Sequence, residues 1–213
     1  MGMTIALMSY HQLTSLFKRL NYPLPSGVNV KIVDALLEDA LAVATELERK
    51  GEADVFVSAG ANCNLLSRHL KTPLVEVKVT GFDFLLALEQ ANRAGHRTAL
   101  ITYRLKLPNL DQTMGTLKVP VTQATFTDAA DLRATIAALR EGGITACIGG
   151  SLVCEEAQKN GLAGYFLYSE DSVLRAMEAA VKIGLAKQTE TAKAHELRAI
   201  MDFAYEGIIA TDA

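Results

Sequence analysis

The chain has 213 residues, 50% hydrophobic and 21% charged, which suits one large domain or two small lobes and excludes a disordered chain. Its 21 Lys and Arg against 24 Asp and Glu leave a formal charge of −3, so it offers no basic footprint for nucleic acid. The longest apolar stretch without a charge, residues 144–154, falls far short of the roughly 18 residues of a spanning helix.

Short β-branched or apolar runs predict strands at residues 4–8, 28–33, 54–57, 74–77, 98–101, 119–124, 146–148 and 163–167. Between them, residues 34–50 place Leu37, Ala40, Leu41, Ala44 and Leu47 on one helical face, with Gly51 as the C-terminal stop. Residues 81–94 end before Gly95 in the same way, and residues 128–141 stop at Gly142 and Gly143. Strand and helix in alternation predict parallel sheets covered by helices. From Ser169 onward a long helix is expected, broken near Gly184, with an apolar stripe at Leu197, Ile200, Met201 and Ala204 suited to a connector or a homodimer contact.

The chain also resembles itself. A shift of 89 positions lays residues 53–60 over 142–149 and superposes Leu85, Ala87, Glu89 and Ala91 on Leu174, Ala176, Glu178 and Ala180. A shift of 93 lays residues 6–10 over 99–103. The expected fold class is therefore α/β: two pseudo-symmetric Rossmann-like lobes with parallel sheets, periplasmic-binding-protein-like in plan, and a long C-terminal helix. Lobe 1 is expected to span about 1–94 plus a returning helix at 170–185, and lobe 2 about 95–169. Ligands of such sheets sit beyond the carboxyl ends of the strands.

That rule selects Ser9 and Tyr10 with Thr102 and Tyr103, then Ser58, Gly60, Ala61 and Asn62 with Gly149, Gly150 and Ser151, then Lys78, Thr80 and Gly81 with Tyr168 and Ser169, while Arg104 offers a second cation on the opposite lobe. The 58–62 and 148–151 turns run from strand to helix through small residues and present N–H groups to an anion, or else Asn62 and Ser151 are simply N-caps. Neither turn is a P-loop or a full G-x-G-x-x-G, so a nucleotide is disfavoured. Thr80 and Asp83 have the spacing of a capping box. Lys78 either faces the crevice and holds a carboxylate or neutralises Glu76 at the surface. Glu170 and Asp171 repel an anion near Ser169, so an acidic ligand leans towards Lys78.

His11, His69, His96 and His195 are scattered, and no metal-spaced or G-x-S-x-G pattern occurs, so neither a cofactor nor a metal is expected. Cys63, Cys147 and Cys154 form no C-x-x-C and are expected to be free thiols in a cytoplasmic protein. The enzyme alternative is a pseudo-symmetric two-cysteine amino-acid racemase. Against it, Cys63 pairs with Leu152 and Cys154 with Leu65 under the 89-residue shift. A free-standing binding protein of the periplasmic type is the other rival, disfavoured by the lack of a signal sequence.

Five stretches, Val55-Phe56-Val57-Ser58-Ala59-Gly60-Ala61-Asn62, Val77-Lys78-Val79-Thr80-Gly81-Phe82-Asp83, Ile101-Thr102-Tyr103, Cys147-Ile148-Gly149-Gly150-Ser151 and Phe166-Leu167-Tyr168-Ser169, resemble the N-terminal sensor domain of the propionate-catabolism activators, σ54-dependent bacterial regulators. The likeness spans roughly residues 4–185. It implies a ligand-sensing domain over 1–185, a helical connector over 186–202, and a small anionic metabolite such as 2-methylcitrate in the cleft. Residues 203–213 resemble the opening of a PAS domain. In the longer protein this implies, an AAA+ ATPase, a DNA-binding helix-turn-helix and σ54 RNA polymerase as partner would follow. The segment itself is expected to contact neither nucleic acid nor membrane.

Overall fold

The computed structural model describes residues 2–20, 22–117 and 119–209. The first half runs β1 (Met3–Ser9), α1 (Gln12–Arg19), β2 (Val28–Asp34), α2 (Leu37–Lys50), β3 (Val55–Ser58), α3 (Gly60–Leu66), β4 (Leu74–Glu76) and α4 (Gly81–Arg93). The second repeats the plan with β5 (Thr98–Tyr103), α5 (Leu110–Leu117), β6 (Val121–Phe126), α6 (Ala129–Glu141), β7 (Ala146–Gly149), α7 (Ser151–Lys159), β8 (Ala163–Phe166) and α8 (Glu170–Ile209). The strands form two parallel sheets of four, ordered β2-β1-β3-β4 and β6-β5-β7-β8. All eight predicted strands are present, and the matching strand orders give the internal repeat a structural counterpart.

Both faces of each sheet are buried, which is why the strands read as continuous apolar runs. The period of two sends Met3, Ile5, Leu7, Val55 and Val57 against α1 and α8, and Ala6, Met8 and Phe56 against α2 and α3. In the second sheet Ile101 and Cys147 join α6 and α7, while Leu100 and Ile148 join Phe84, Ala87 and Leu88 of α4 and Met114 of α5. Gly164 lets β8 press on α7, since a Cβ there would stand 2.8 Å from backbone atoms of Cys154.

Two helices change sides. α4 follows the first sheet but packs on the second, and α8 follows the second but packs on the first. By packing, lobe 1 thus gives up residues 81–93 to lobe 2, a difference from the expected division near residue 94. An apolar stripe on α4 looks the same whichever sheet receives it. α8 is one continuous helix. No break occurs at Gly184, where the absent side chain instead leaves room for the buried Met3. Residues 203–209 of the expected PAS opening are the last turns of α8, and residues 210–213 lie outside the described ones.

The two crossings are tied at one carboxylate. Thr80 and Asp83 form the capping box of α4: the Thr80 backbone N–H donates to Asp83 Oδ2 at 2.6 Å and the Asp83 N–H to Thr80 Oγ1 at 3.2 Å. Asp83, only 3% exposed, also accepts from Ser169 and, at 2.6 Å, from Ser172 in the first turn of α8. The 89-residue shift maps Thr80 onto Ser169 and Asp83 onto Ser172, so the bonds join equivalent positions of the two halves. Burial pushes the Asp83 pKa up, but the hydrogen bonds from Ser169, Ser172 and Thr80 outweigh it and hold the carboxyl below its ordinary value.

Asp83→Ala should destabilise the chain by about 2–3 kcal/mol, since it strips a cap and leaves buried hydroxyls and an N–H without their acceptor. Because the folded pKa is depressed, the contribution of Asp83 is complete above the unfolded carboxyl value of about 3.9 and is lost as pH falls below it. Urea midpoints of wild type and variant should therefore converge on acidification. A constant gap would show that the carboxylate charge does not stabilise the crossing.

Candidate functional site: the cleft between the strand tips

The carboxyl ends of the strands in both sheets face a shared cleft. Two hollows occupy it. The inner one, about 80 Å³, holds a few waters and is lined by Ser9, Tyr10, Leu36, Gly60, Ala61, Asn62, Tyr103, Phe126, Gly150, Ser151, Phe166 and Tyr168, among others. The outer one is about 730 Å³, within the range of small-molecule sites, and is lined by Gly60, Cys63, Asn64, Glu76, Lys78, Thr102, Tyr103, Leu105, Leu107 and Tyr168 with neighbouring apolar and hydroxyl groups. Tyr103, Tyr168 and Gly60 belong to both. The absent side chain at Gly60 matters, because a Cβ there would stand 3.2 Å from the Tyr168 hydroxyl.

The cleft is closed on one side. Ser151 Oγ donates to the Tyr10 carbonyl at 2.6 Å and lies 3.3 Å from the Leu13 N–H, which donates to it. Glu155, one turn further along α7, accepts from Tyr10 hydroxyl at 3.2 Å and pairs with His11 Nδ1, while the Tyr10 and His11 rings stack at 3.9 Å. Burial, then the Glu155 carboxylate, raises the Tyr10 pKa, so the phenol stays a donor. The equivalent position on the other side, around Tyr103 and α3, is where the outer hollow lies.

Backbone strain marks the same strand tips. His11 has φ 40° and Arg104 φ 61°, and the 93-residue shift makes them equivalents; Leu37, beyond the β2 tip, has φ 49°. Non-glycine residues in this region cost about 1–3 kcal/mol each and gather at ligand clamps and switches.

Of the sequence-predicted site residues, Ser9, Tyr10, Gly60, Ala61, Asn62, Tyr103, Gly150, Ser151 and Tyr168 line the inner hollow, and Lys78 joins Gly60, Tyr103 and Tyr168 at the outer one. Several of their polar groups are already engaged. Asn62 accepts from the Leu37 N–H at 2.7 Å and donates to the Ala35 carbonyl at 2.8 Å, pinning the β2–α2 turn rather than capping α3. Ser9 shares a 2.8 Å bond with Thr14.

The remaining predicted residues stand outside both hollows. Ser58 is buried and donates to the Met8 carbonyl at 2.7 Å. Gly149 sits under Val153, and Ser169 is bound to Asp83. Thr80 and Gly81 border a different pocket, between α4 and α5. Arg104 is exposed and lies over the Tyr103 ring, 5.1 Å from its centroid. Glu155 was not anticipated, and Cys63 was weighed only within the two-cysteine alternative. The first was discoverable, since it follows Ser151 by four residues on one helical face.

Cys63, Cys147 and Cys154 are free and buried. Burial, helped by Glu76, pushes the Cys63 thiol up to about 12, and burial lifts Cys154 to about 12 as well. That is the reverse of an activated thiolate, and Cys154 lines neither hollow. The two-cysteine exchange reading loses its chemistry on both counts. Tyr168 is likewise raised by burial and by Glu76. Among the described residues no cluster of metal-ligating side chains and no helix long and apolar enough to cross a membrane is present.

Two lobes with strand tips converging on a shared cleft, exchanged helices and a long outgoing helix make a two-lobed α/β fold, periplasmic-binding-protein-like in plan. The family model for the propionate catabolism activator matches residues 26–190, and the chain belongs to that family, whose sensor domains serve transcriptional activators. The crystal structure of an NtrC family transcriptional regulator from Clostridium acetobutylicum is similar at 28% identity and a TM-score of 0.75, over 88% of this chain and 99% of that one. Weaker likenesses extend to a LacI family repressor from Corynebacterium glutamicum (12% identity, 85% and 91% covered, TM-score 0.49). Another is a solute-binding protein of an ABC transporter from Clostridium phytofermentas with bound L-rhamnose (10%, 87% and 82%, 0.47).

Glu155→Ala should remove the contacts of Tyr10 and His11 across the cleft and increase the radius of gyration measured by small-angle scattering. Its melting temperature should fall by no more than about 4 °C, because a partly exposed pair contributes little to folding. Unchanged scattering would show that the lobes stay shut without Glu155.

Proposed function

We propose that this chain is the metabolite-sensing segment of a cytoplasmic σ54-dependent bacterial activator, and that a small organic carboxylate enters the interlobe cleft to control an ATPase outside the chain. The resemblance suggests 2-methylcitrate as one effector within that class. The observation that carries the reading is the 730 Å³ hollow between paired strand tips, with Lys78 on its wall. The first turn of α7 adds unpaired N–H dipoles beside the inner hollow, which favour negative charge. In this reading Lys78, Tyr103, Tyr168, Gly60 and the Gly150–Ser151 turn contact ligand, while Ser151 and Glu155 govern closure.

Closure would alter the output through α8, which is anchored on the first sheet by Val173, Ala176, Met177, Ala180 and Val181 and then leaves the body. On its outgoing part Leu197, Ile200 and Met201 are 62%, 58% and 68% exposed, a stripe that fits pairing in a homodimer. The connector over 186–202, a PAS domain, the AAA+ ATPase and the helix-turn-helix complete the proposed protein. The empty sensor restrains the output and bound ligand releases it.

Calorimetric titration of the chain with 2-methylcitrate, citrate and simpler carboxylates, amino acids included, tests the reading. At least one should bind, and Lys78→Ala should weaken it by about tenfold, a loss of about 1.4 kcal/mol. Silence from every carboxylate would remove the sensor reading, and normal binding by Lys78→Ala would remove this placement.

A further inference from the structure

The outer hollow has two charged side chains on its lining, Glu76 and Lys78, of opposite sign. Both are exposed on the lining, at and just beyond the end of β4, while Val77 between them is buried in the core and its N–H donates to the Ser58 carbonyl at 2.8 Å. A rise of about 3.3 Å per residue separates their Cα atoms by about 6.6 Å. Among the described residues neither charge has an ion-pair partner, although Lys31 and Glu52 elsewhere on the surface are paired at 3.0 Å. Glu76 shares the lining with Cys63 and Tyr168, and its charge raises the pKa of both. Leu70 and Leu74 from the same half, and Leu105, Leu107 and Leu167 from the second, form a leucine wall in the same lining, with Leu105 77% exposed.

We infer, on the reading of the cleft as a ligand site, that the outer hollow takes a zwitterion of the apolar α-amino-acid class. Its carboxylate meets Lys78, its ammonium meets Glu76, and its side chain covers the leucine wall. A tricarboxylate fits this lining poorly. It brings several negative charges to a wall whose own charges sum to zero, and each carboxylate without a cation loses its water uncompensated. Arg68, Lys71, Arg104 and Lys106 adjoin lining residues in the chain, but none of the four lines the hollow.

Thermal-shift screening followed by calorimetry on the 213-residue chain tests this. The probes are L-leucine, L-isoleucine, L-methionine, L-phenylalanine and L-proline, the analogues of each lacking the amine or the carboxylate, and citrate and 2-methylcitrate. At least one amino acid should bind, and each analogue of it that has lost one charge should bind about tenfold more weakly or worse. Glu76→Gln should abolish the preference for the amine and Lys78→Met the preference for the carboxylate, with circular dichroism unchanged because both side chains are exposed. Silence of the amino acids while citrate or 2-methylcitrate binds overturns the zwitterion and leaves the sensor reading intact. Silence of every probe overturns both. An amino acid bound equally by wild type and Glu76→Gln also overturns the inference.

Discussion

The geometry of the molecule depends on Asp83. Each helix that ends one half of the chain is handed to the other half, so the polypeptide crosses between the lobes twice, before α4 and before α8. Asp83 joins the two crossings by accepting from Thr80 on its own side and from Ser169 and Ser172 on the other. A buried carboxylate is stable only when its lone pairs are filled, so the bonds come as a set. With the crossings fixed at one point, the sheets cannot separate freely, and their strand tips must face each other.

A tether at one point still permits rotation, and here the two sides of the cleft differ. Tyr10, His11, Ser151 and Glu155 close one side, whereas the equivalent side keeps an open hollow. The halves share a backbone plan but not the side chains that meet across it. His11 has Arg104 as its counterpart, and Glu155 has Leu66. The repeated plan forms the cleft, and different tip residues give it a shut side and an open side. Tyr103 and Tyr168 line both hollows, so they join the shut side of the cleft to the open one.

Much of this was legible in the residues. The strands were readable because a sheet covered on both faces demands uninterrupted apolar runs, as in Val55-Phe56-Val57. The capping box at Thr80 and Asp83 and the stop at Gly51 (φ 67°) follow from local chemistry alone. Partners were not legible. Asn62 and Ser58 stood at the correct tips, but an amide or hydroxyl in a sequence does not declare whether it serves a ligand or its own backbone. Asn62 proved to hold the β2–α2 turn and Ser58 to hold β1. Gly184 misled for a related reason: it weakens a helix locally, but the close approach of Met3 gives it a packing role that local propensity cannot reveal.

The exchange of helices also couples α8 to both lobes. If α8 packed on the sheet that precedes it, motion of that lobe would carry the helix along and leave it fixed relative to its own domain. Anchored on the first sheet while covalently continuous with the second, α8 is loaded from both. Its first turn donates Ser172 to Asp83, and its buried face, Val173 to Val181, holds the first sheet. A change of lobe angle must therefore be absorbed at the Ser169–Ser172 turn or passed along the helix. The hydrogen bonds at Asp83 make that turn costly to deform. The stiffer alternative is a rigid rotation of α8, and a continuous helix from Glu170 to Ile209 converts a small rotation at its base into a larger displacement at its far end.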